Sequence, residues 1–326
     1  MIAYVVRRVL YAIPTLLGVN VITFALFFVV NPPERMARRI LGEKNVTSAQ
    51  VETWLRDHDY DLPLLFNRGS YGAGKLTNTV FFRKSASLLW LDFGLSDRNN
   101  IAIGETIRER VWPSLAVTIP LFLLGLVSYV SAAMLLAHFR ATRLDLWGAV
   151  TCVVMMSVPY LFLIISGQWL VAKSLRLFPI SGYEPGLVSL RFAFLPILIG
   201  VISGIGSGTR FYRSIFIEEL GRDHIRTARA KGLPEGTVLF RHALKNAMIP
   251  ILTNTVTEIP LLFMGALLLE SFFAIPGLGS FTIEAINAQD FAIVRAMVYL
   301  GSVLYIAGLI LTDISYSVVD PRVRFK

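Results

Sequence analysis

The chain has 326 residues, of which 55% are hydrophobic and 16% charged, and its formal net charge is +9. A soluble domain carries about 25% charged residues, so this balance, with a mean hydropathy of +0.62, excludes an ordinary soluble fold and indicates an all-α polytopic membrane protein. The positive charge does not imply a nucleic-acid partner, because the basic residues flank apolar stretches, where they set orientation in a bilayer. The single cysteine, Cys152, excludes a disulfide framework or a Cys-based metal site within the chain.

Arg7 and Arg8 precede an apolar run over 9–30 that is too long for a signal-peptide core and lacks a small-residue cleavage site, so it reads as an uncleaved first span. A bilayer core is crossed by about 20 apolar helical residues. Six segments meet that length: 9–30, 114–137, 147–172, 190–209, 250–271 and 293–317. With the N-terminus inside, Arg7, Arg8, Arg140, Arg143, the loop 210–249 and the tail at Arg322, Arg324 and Lys326 are cytoplasmic, and together they hold 15 of the 31 basic residues. The short outer connections hold only Lys173, Arg176, Arg191 and Arg295, which is the positive-inside pattern. An even number of spans places both termini in the cytoplasm, and the whole of 1–326 reads as one transmembrane domain.

Residues 31–113 form one long outer loop, too long for its basic residues to set orientation. Within it, Val51–Arg56 reads as a short amphipathic helix, and Arg68–Lys75 as a loose, glycine-rich turn. Gly69-Ser-Tyr-Gly-Ala-Gly74-Lys75 imitates a phosphate loop, but Leu76 stands where a metal-binding Ser or Thr belongs, and no strand precedes it. Asp92-Phe-Gly94 matches a kinase magnesium motif with none of the companion motifs, and reads as a turn.

The most informative stretch is the basic island Arg226-Thr-Ala-Arg-Ala-Lys-Gly232-Leu-Pro234, followed by Arg241-His242 and Lys245-Asn246. Residues 217–231 read as a helix, with Glu218, Glu219 and Asp223 early and Arg226, Arg229 and Lys231 late, which complements the helix dipole. Gly232 suits a left-handed stop, and Pro234 suits the first position of the next helix. The expected arrangement is helix, tight turn, helix along the cytoplasmic membrane surface. Ile217, Gly221, Ile225, Ala228 and Gly232 share one face. A basic amphipathic helix resting on anionic lipid is one reading. Docking to a soluble partner is the other, favoured because Gly, Ala and Pro bury poorly in lipid.

This island resembles the cytoplasmic coupling loop, the EAA loop, of ABC-importer permeases, and within them the dipeptide/oligopeptide/nickel branch. Arg226-Thr227-Ala228 stands where the general motif has Glu-Ala-Ala, Gly232 is the motif glycine, and His242, Leu244 and Asn246 fit the second half. Ile275-Pro-Gly-Leu-Gly279, Glu284-Ala-Ile, Asp290-Phe, Asp313-Ile-Ser-Tyr316 and Asp320-Pro-Arg322-Val-Arg324 resemble later segments of the branch. Met1–Leu17, Asp92–Ser96 and Trp112-Pro-Ser-Leu resemble earlier ones, and the long loop after the first span marks the B-type subunit. Only about 66–90 falls outside the match.

The resemblance implies a type I importer permease with cytoplasmic coupling helices. Its partners would be a homologous second permease, two cytoplasmic ATPases, an extracytoplasmic binding protein and the lipid bilayer. It would bind no cofactor itself, since ATP and magnesium belong to the ATPases. Di- or oligopeptides would be the cargo, with modified peptides and nickel chelates as alternatives. The coupling residues would be Gly221, Arg226, Ala228, Arg229, Ala230, Lys231, Gly232, Pro234, His242 and Asn246.

In the spans, Gly200, Gly204 and Gly208 recur every four residues and form a ridge for close helix packing or for sliding in a gate, while Gly206 adds flexibility. Pro159 and Pro196 are expected to kink their spans. Glu258 is an acid inside the fifth span, where the branch often has Gln. Acids at membrane depth face a bundle interior or a watery path. Glu258, with Gly204 and Gly208, is therefore the candidate translocation path, favouring cationic amines; a structural ion pair or snorkelling is the rival. Glu270 and Asp313, near span ends, read as structural. An intramembrane enzyme is disfavoured, since His58, His138, His224 and His242 show no metal spacing. A passive channel or scaffold is a third reading.

Overall fold

The computed structural model describes residues 2–42, 46–184, 186 and 188–319, the side chains at 2–5 and 316–319 excepted. The basic tail and the Asp320–Arg324 signature lie outside the described residues. The principal helices are α1 Ile2–Phe24, α2 Pro33–Leu41, α3 Ser48–Asp57, α4 Ile103–His138, α5 Arg143–Ser157, α6 Tyr160–Gly167, α7 Ser189–Leu220, α8 Asp223–Ala230, α9 Leu244–Glu258, α10 Leu267–Phe272, α11 Leu278–Ala288 and α12 Phe291–Val319. Among the described residues, five helices are long and apolar enough to cross a membrane, or six if α5 and the bent helix Tyr160–Ser174 form one span. The chain is an all-α polytopic membrane protein. It falls into two compact units, one of Met1–Val111 and Phe281–Ile310, the other of Trp112–Ser280 and residues from Leu311.

In the first unit, α1 continues as a widened helical turn, Ala25–Val30. The chain between α1 and α4 is largely helical. Thr47 caps α3 reciprocally with Gln50, whose side chain takes the Thr47 N–H at 2.9 Å. Val51 and Trp54 of α3 are buried against Phe24, Phe28, Ala37 and Tyr60, so the amphipathic segment read from the sequence closes over the end of α1. Asn20 of α1 is buried, and its side-chain amide donates to the Ser85 carbonyl at 2.7 Å, which gives its NH2 group a partner in an apolar helix. The phosphate-loop imitation is a turn with Gly72 at φ +59°, leading into a single helical turn, Gly74–Thr77. Asp92–Gly94 is likewise a turn, in which the Gly94 N–H donates to the Asp92 carboxylate at 3.2 Å.

In the second unit, α5 and the helix after it are bent by 88°. The cause is Pro159, which has no N–H to continue α5 and leaves Val158 extended at ψ 122°. Pro196, expected to act similarly, lies buried inside the unbroken α7. The glycine ridge of α7 admits large side chains of α4: Leu121 lies against Gly200, and Tyr129 covers Gly204 and Gly208. Gly206 faces the other way, and a Cβ there would lie 2.5 Å from the Cys152 carbonyl of α5. Its role is close backbone approach rather than the flexibility expected. Arg213 of α7 also grips Asp145 of α5 with two bonds of 2.9 and 2.8 Å. Ala133, Ala137, Tyr212, Phe216, Ala247 and Ile251 form a core that joins α4, α7 and α9.

Candidate functional site

The basic island departs from its sequence reading at the start. Residues 217–220 belong to α7, and the separate helix α8 begins at Asp223. Glu218 and Glu219 therefore sit at the C-terminal end of α7, where an acid opposes the helix dipole. A cation meets both: Arg222 reaches Glu218 at 3.2 Å and Glu219 at 3.1 Å, and the His224 ring lies 3.0 Å from Glu219.

The stop of α8 follows the expectation. Gly232 has φ +74°, its N–H donates to the Arg229 carbonyl at 2.9 Å, and the Leu233 N–H donates to the Ala228 carbonyl at 3.4 Å. This pair of reverse bonds is a Schellman stop. Pro234 stands one position earlier than expected, at the cap; its carbonyl takes the Thr237 N–H at 2.9 Å. Arg229 braces the turn by bonding Glu235 at 2.8 Å.

The predicted small-residue stripe divides. Ile225 and Ala228 are buried within the chain against Leu220, Val238 and Ala243. Gly221 ends α7 with ordinary helical φ −81°, and a Cβ at Gly232 would meet nothing within 4 Å. Arg226, Ala230 and Lys231 are exposed. His242 is half-buried in the widened turn Val238–Ala243 that leads into α9. Its carbonyl accepts the Asn246 side-chain amide at 3.1 Å, and the same amide lies 3.0 Å from His224. Thus the first turn of α8 meets both neighbouring spans through His224, which lies against Glu219 of α7 and Asn246 of α9.

The second candidate feature is a cavity of about 460 Å³ whose lining includes Thr118 and Tyr129 of α4, Tyr160 of α6, Ser203 and Tyr212 of α7, and Glu258 of α9. Pro159 places Tyr160 there, because the break in front of it redirects the chain. After Glu258 the helix tightens into a 3-10 segment, Ile259–Met264, which stops at Gly265 with φ +74°. The Leu262 carbonyl in that segment is satisfied by the Thr118 hydroxyl at 3.0 Å. The Tyr129 hydroxyl donates to the Val201 carbonyl at 3.2 Å. The Glu258 carboxylate receives the Asn254 amide at 3.4 Å and is otherwise exposed. It is the only acidic side chain among the lining residues, which include no Lys, Arg or His. Gly204 and Gly208 are absent from the lining; they form the seat behind Tyr129.

A family model described as "Binding-protein-dependent transport system inner membrane component" matches residues 129–325, a stretch that holds both α8 and most of the cavity wall. The chain belongs to this family. It is similar along its full length to the dipeptide transport system permease protein DppB of Alkalihalophilus pseudofirmus, at 30% identity with all of both chains covered. It is similar, again over all of both chains, to the oligopeptide transport system permease protein AppB of Bacillus subtilis at 26% identity. The glutathione transport system permease protein GsiC of Salmonella paratyphi A is 30% identical with the same coverage.

As a binding-protein-dependent permease, the chain uses two buried carboxylate clusters to order segments that the sequence marked only as resemblances. Glu270 is fully buried and accepts the N–H groups of Ala266 at 2.9 Å, Gly279 at 2.7 Å and Ser280 at 3.1 Å. A Cβ at Gly265, Gly277 or Gly279 would overlap that carboxylate, which accounts for both glycines of Ile275–Gly279. In the first unit, the Ser96 hydroxyl bonds Asp290, while Asp97 accepts the Tyr60 hydroxyl at 2.7 Å and the Ala292 N–H at 3.1 Å. Burial pushes the Asp97 carboxyl above the usual carboxylate range, and the nearby Arg295 opposes that shift. Arg295, counted from sequence among the outer connections, is buried with its guanidinium over the Phe28 ring at 4.9 Å. Tyr129 and Tyr160 were not singled out from sequence, and Glu219 was read only as an acid early in a helix. A tyrosine in an apolar span carries no mark of which neighbour it faces, and a glutamate near a helix end looks solvated until its partners are placed.

Proposed function

We propose that this chain is one of two membrane-spanning subunits of an ATP-driven importer for di- or oligopeptides, with α8 as its contact to the ATPases. The observation that carries this reading is the attachment of α8 to the ends of α7 and α9 through Glu219, His224 and Asn246. A push on so short a helix is transmitted to two spans, both of which contribute to the cavity wall. The peptide cargo is supported by the dipeptide, oligopeptide and glutathione transport named for the relatives. Glutathione keeps modified peptides open as an alternative cargo.

In this reading the exposed Arg226, Ala230 and Lys231, with the turn at Gly232–Pro234, face an ATPase cleft. Gly221, Arg229, His242 and Asn246 shape that surface, and Ala228 supports it from beneath. Two ATPases in the cytoplasm hold the ATP and magnesium, a homologous permease completes the path, and an extracytoplasmic binding protein delivers the peptide. Both termini lie in the cytoplasm. Glu258 and Tyr129, the latter seated on Gly204 and Gly208, line the path. Closure of the ATPases and docking of the loaded binding protein drive the change only if each binds the outward-open state better than the resting one.

The test is reconstitution of the chain with its partner permease, ATPases and binding protein in proteoliposomes. Peptide-stimulated ATP hydrolysis with ATP-dependent accumulation of peptide is expected. Peptide flux that ignores ATP would make the chain a channel, and assembly without any flux would make it a scaffold.

A further inference from the structure

We infer that Glu258, set among Tyr129, Tyr160 and Tyr212, is a transit site for the ammonium group of the passing solute, so that this subunit itself selects for free amines. The inference rests on the peptide-import reading.

The chemistry of the cavity points one way. Its one acidic lining group is the carboxyl of Glu258, and no lining residue is a Lys, Arg or His. The single recorded bond to that carboxylate, from Asn254 at 3.4 Å, leaves most of its acceptor capacity open, since an ionised carboxylate offers about four lone-pair sites. Three tyrosines supply hydroxyl oxygens and electron-rich ring faces, both of which attract an ammonium ion. The mixture repels a carboxylate or a phosphate. A volume of about 460 Å³ lies in the range of small-molecule sites. An unblocked peptide therefore fits with its amino end toward Glu258 and its carboxylate away from it. The attachment of Tyr129 to Val201 and its seat on Gly204 and Gly208 hold one ring of the site in place.

The experiment compares initial uptake rates of the reconstituted complex carrying wild-type chain or Glu258→Gln. The binding protein is a separate chain common to both complexes, so the ratio of the two rates cancels its own preference. A neutral dipeptide loses its α-ammonium charge near pH 8, whereas a lysine-containing dipeptide keeps its side-chain charge to about pH 10. With the neutral dipeptide, Glu258→Gln is expected to slow uptake about tenfold at about pH 6.5 and little at about pH 9, the difference between a charge-assisted and a neutral hydrogen bond. With the lysine dipeptide the slowing persists at about pH 9. Equal slowing under all four conditions, or none under any, overturns the inference while leaving peptide import intact. A wild-type complex that takes up neither peptide defeats the import reading, and the inference with it. Copurification of the subunits and basal ATP hydrolysis report assembly; if Glu258→Gln does not assemble, Glu258→Ala carries the same comparison with the same outcomes.

Discussion

The carboxylate of Glu270 accepts the backbone N–H of Gly279 at 2.7 Å, in a turn where the neighbouring Ser114 hydroxyl takes the Leu278 N–H at 2.7 Å and the Ser280 hydroxyl takes the Gly277 N–H at 3.1 Å. Three backbone donors converge on this fully buried acid. Glu270→Gln exchanges one acceptor oxygen for an amide that faces donors. The expected loss is about 1–3 kcal/mol, the cost of a buried unsatisfied donor. Thermal unfolding of the detergent-solubilised protein reads it, and an unchanged midpoint would show that the turn is held by other means.

Gly232 has φ +74° with open space around the position of a Cβ. Strain in the backbone, rather than a clash inside the chain, therefore limits substitution. Gly232→Leu is expected to cost about 1–2 kcal/mol and to loosen the stop of α8, while Gly232→Asn, which tolerates left-handed geometry, costs less. The readout is ATP-coupled uptake of the reconstituted complex. If Asn and Leu fail alike, the glycine is needed for space against a partner and not for its conformation.

Much of this organisation was legible in the sequence, and the gaps have physical causes. The apolar segments fall on long apolar helices, but hydropathy reports the solvent and not the helix. It stops at 114 and 209 where α4 begins at Ile103 and α7 continues to Leu220. The stop at Gly232 was readable because only glycine is comfortable at its φ. The face of α8 was read with Ala228 outward because helical spacing defines a face without saying whether protein, lipid or a partner covers it. Leu220, Val238 and Ala243 cover it, and two of these lie beyond the turn. The cavity was readable only at Glu258, since a charge stands out in a span while Tyr129 and Tyr160 do not.

Ala228 is 4% exposed. Ala228→Trp is thus expected to overpack the contact with Ile225 and Val238 and to destabilise the chain by about 1–3 kcal/mol. Arg226 points outward, paired only with the exposed Asp223 at 3.4 Å, a surface pair worth about 0–1 kcal/mol. Arg226→Glu should leave the unfolding midpoint unchanged and weaken association with the ATPases. Pull-down of the ATPases together with melting curves separates the two effects; a normal midpoint for Ala228→Trp would contradict its buried position.

Asp97 gives the first unit a pH dependence of defined sign. Burial raises its carboxyl above the ordinary value of about 3.9, so the folded chain holds that proton more tightly than the unfolded chain. This contribution to stability is fully present below the ordinary value and is lost as pH rises through the raised one. Asp97→Asn still accepts the Tyr60 hydroxyl but no longer titrates. As pH rises above the ordinary value of about 3.9, the wild-type midpoint should fall relative to that of the variant. A constant difference would mean that Asp97 is ionised throughout.

Gly206 and Gly221 test close approach against exposure within one helix. A Cβ at Gly206 would sit 2.5 Å from the Cys152 carbonyl, a backbone atom that cannot swing aside, whereas at Gly221 the nearest atom is the Glu218 carbonyl at 3.4 Å. Gly206→Ala must therefore push α5 from α7, in the same helix pair that is gripped by Arg213 on Asp145. Overpacking of this kind costs about 1–3 kcal/mol, and separation of the helices would also strain the Arg213 bonds. Gly221→Ala, at an ordinary helical φ, should be neutral or slightly stabilising through reduced freedom of the unfolded chain. Melting midpoints of the two variants should differ in that order, and equal midpoints would show that the contact at Cys152 relaxes without loss.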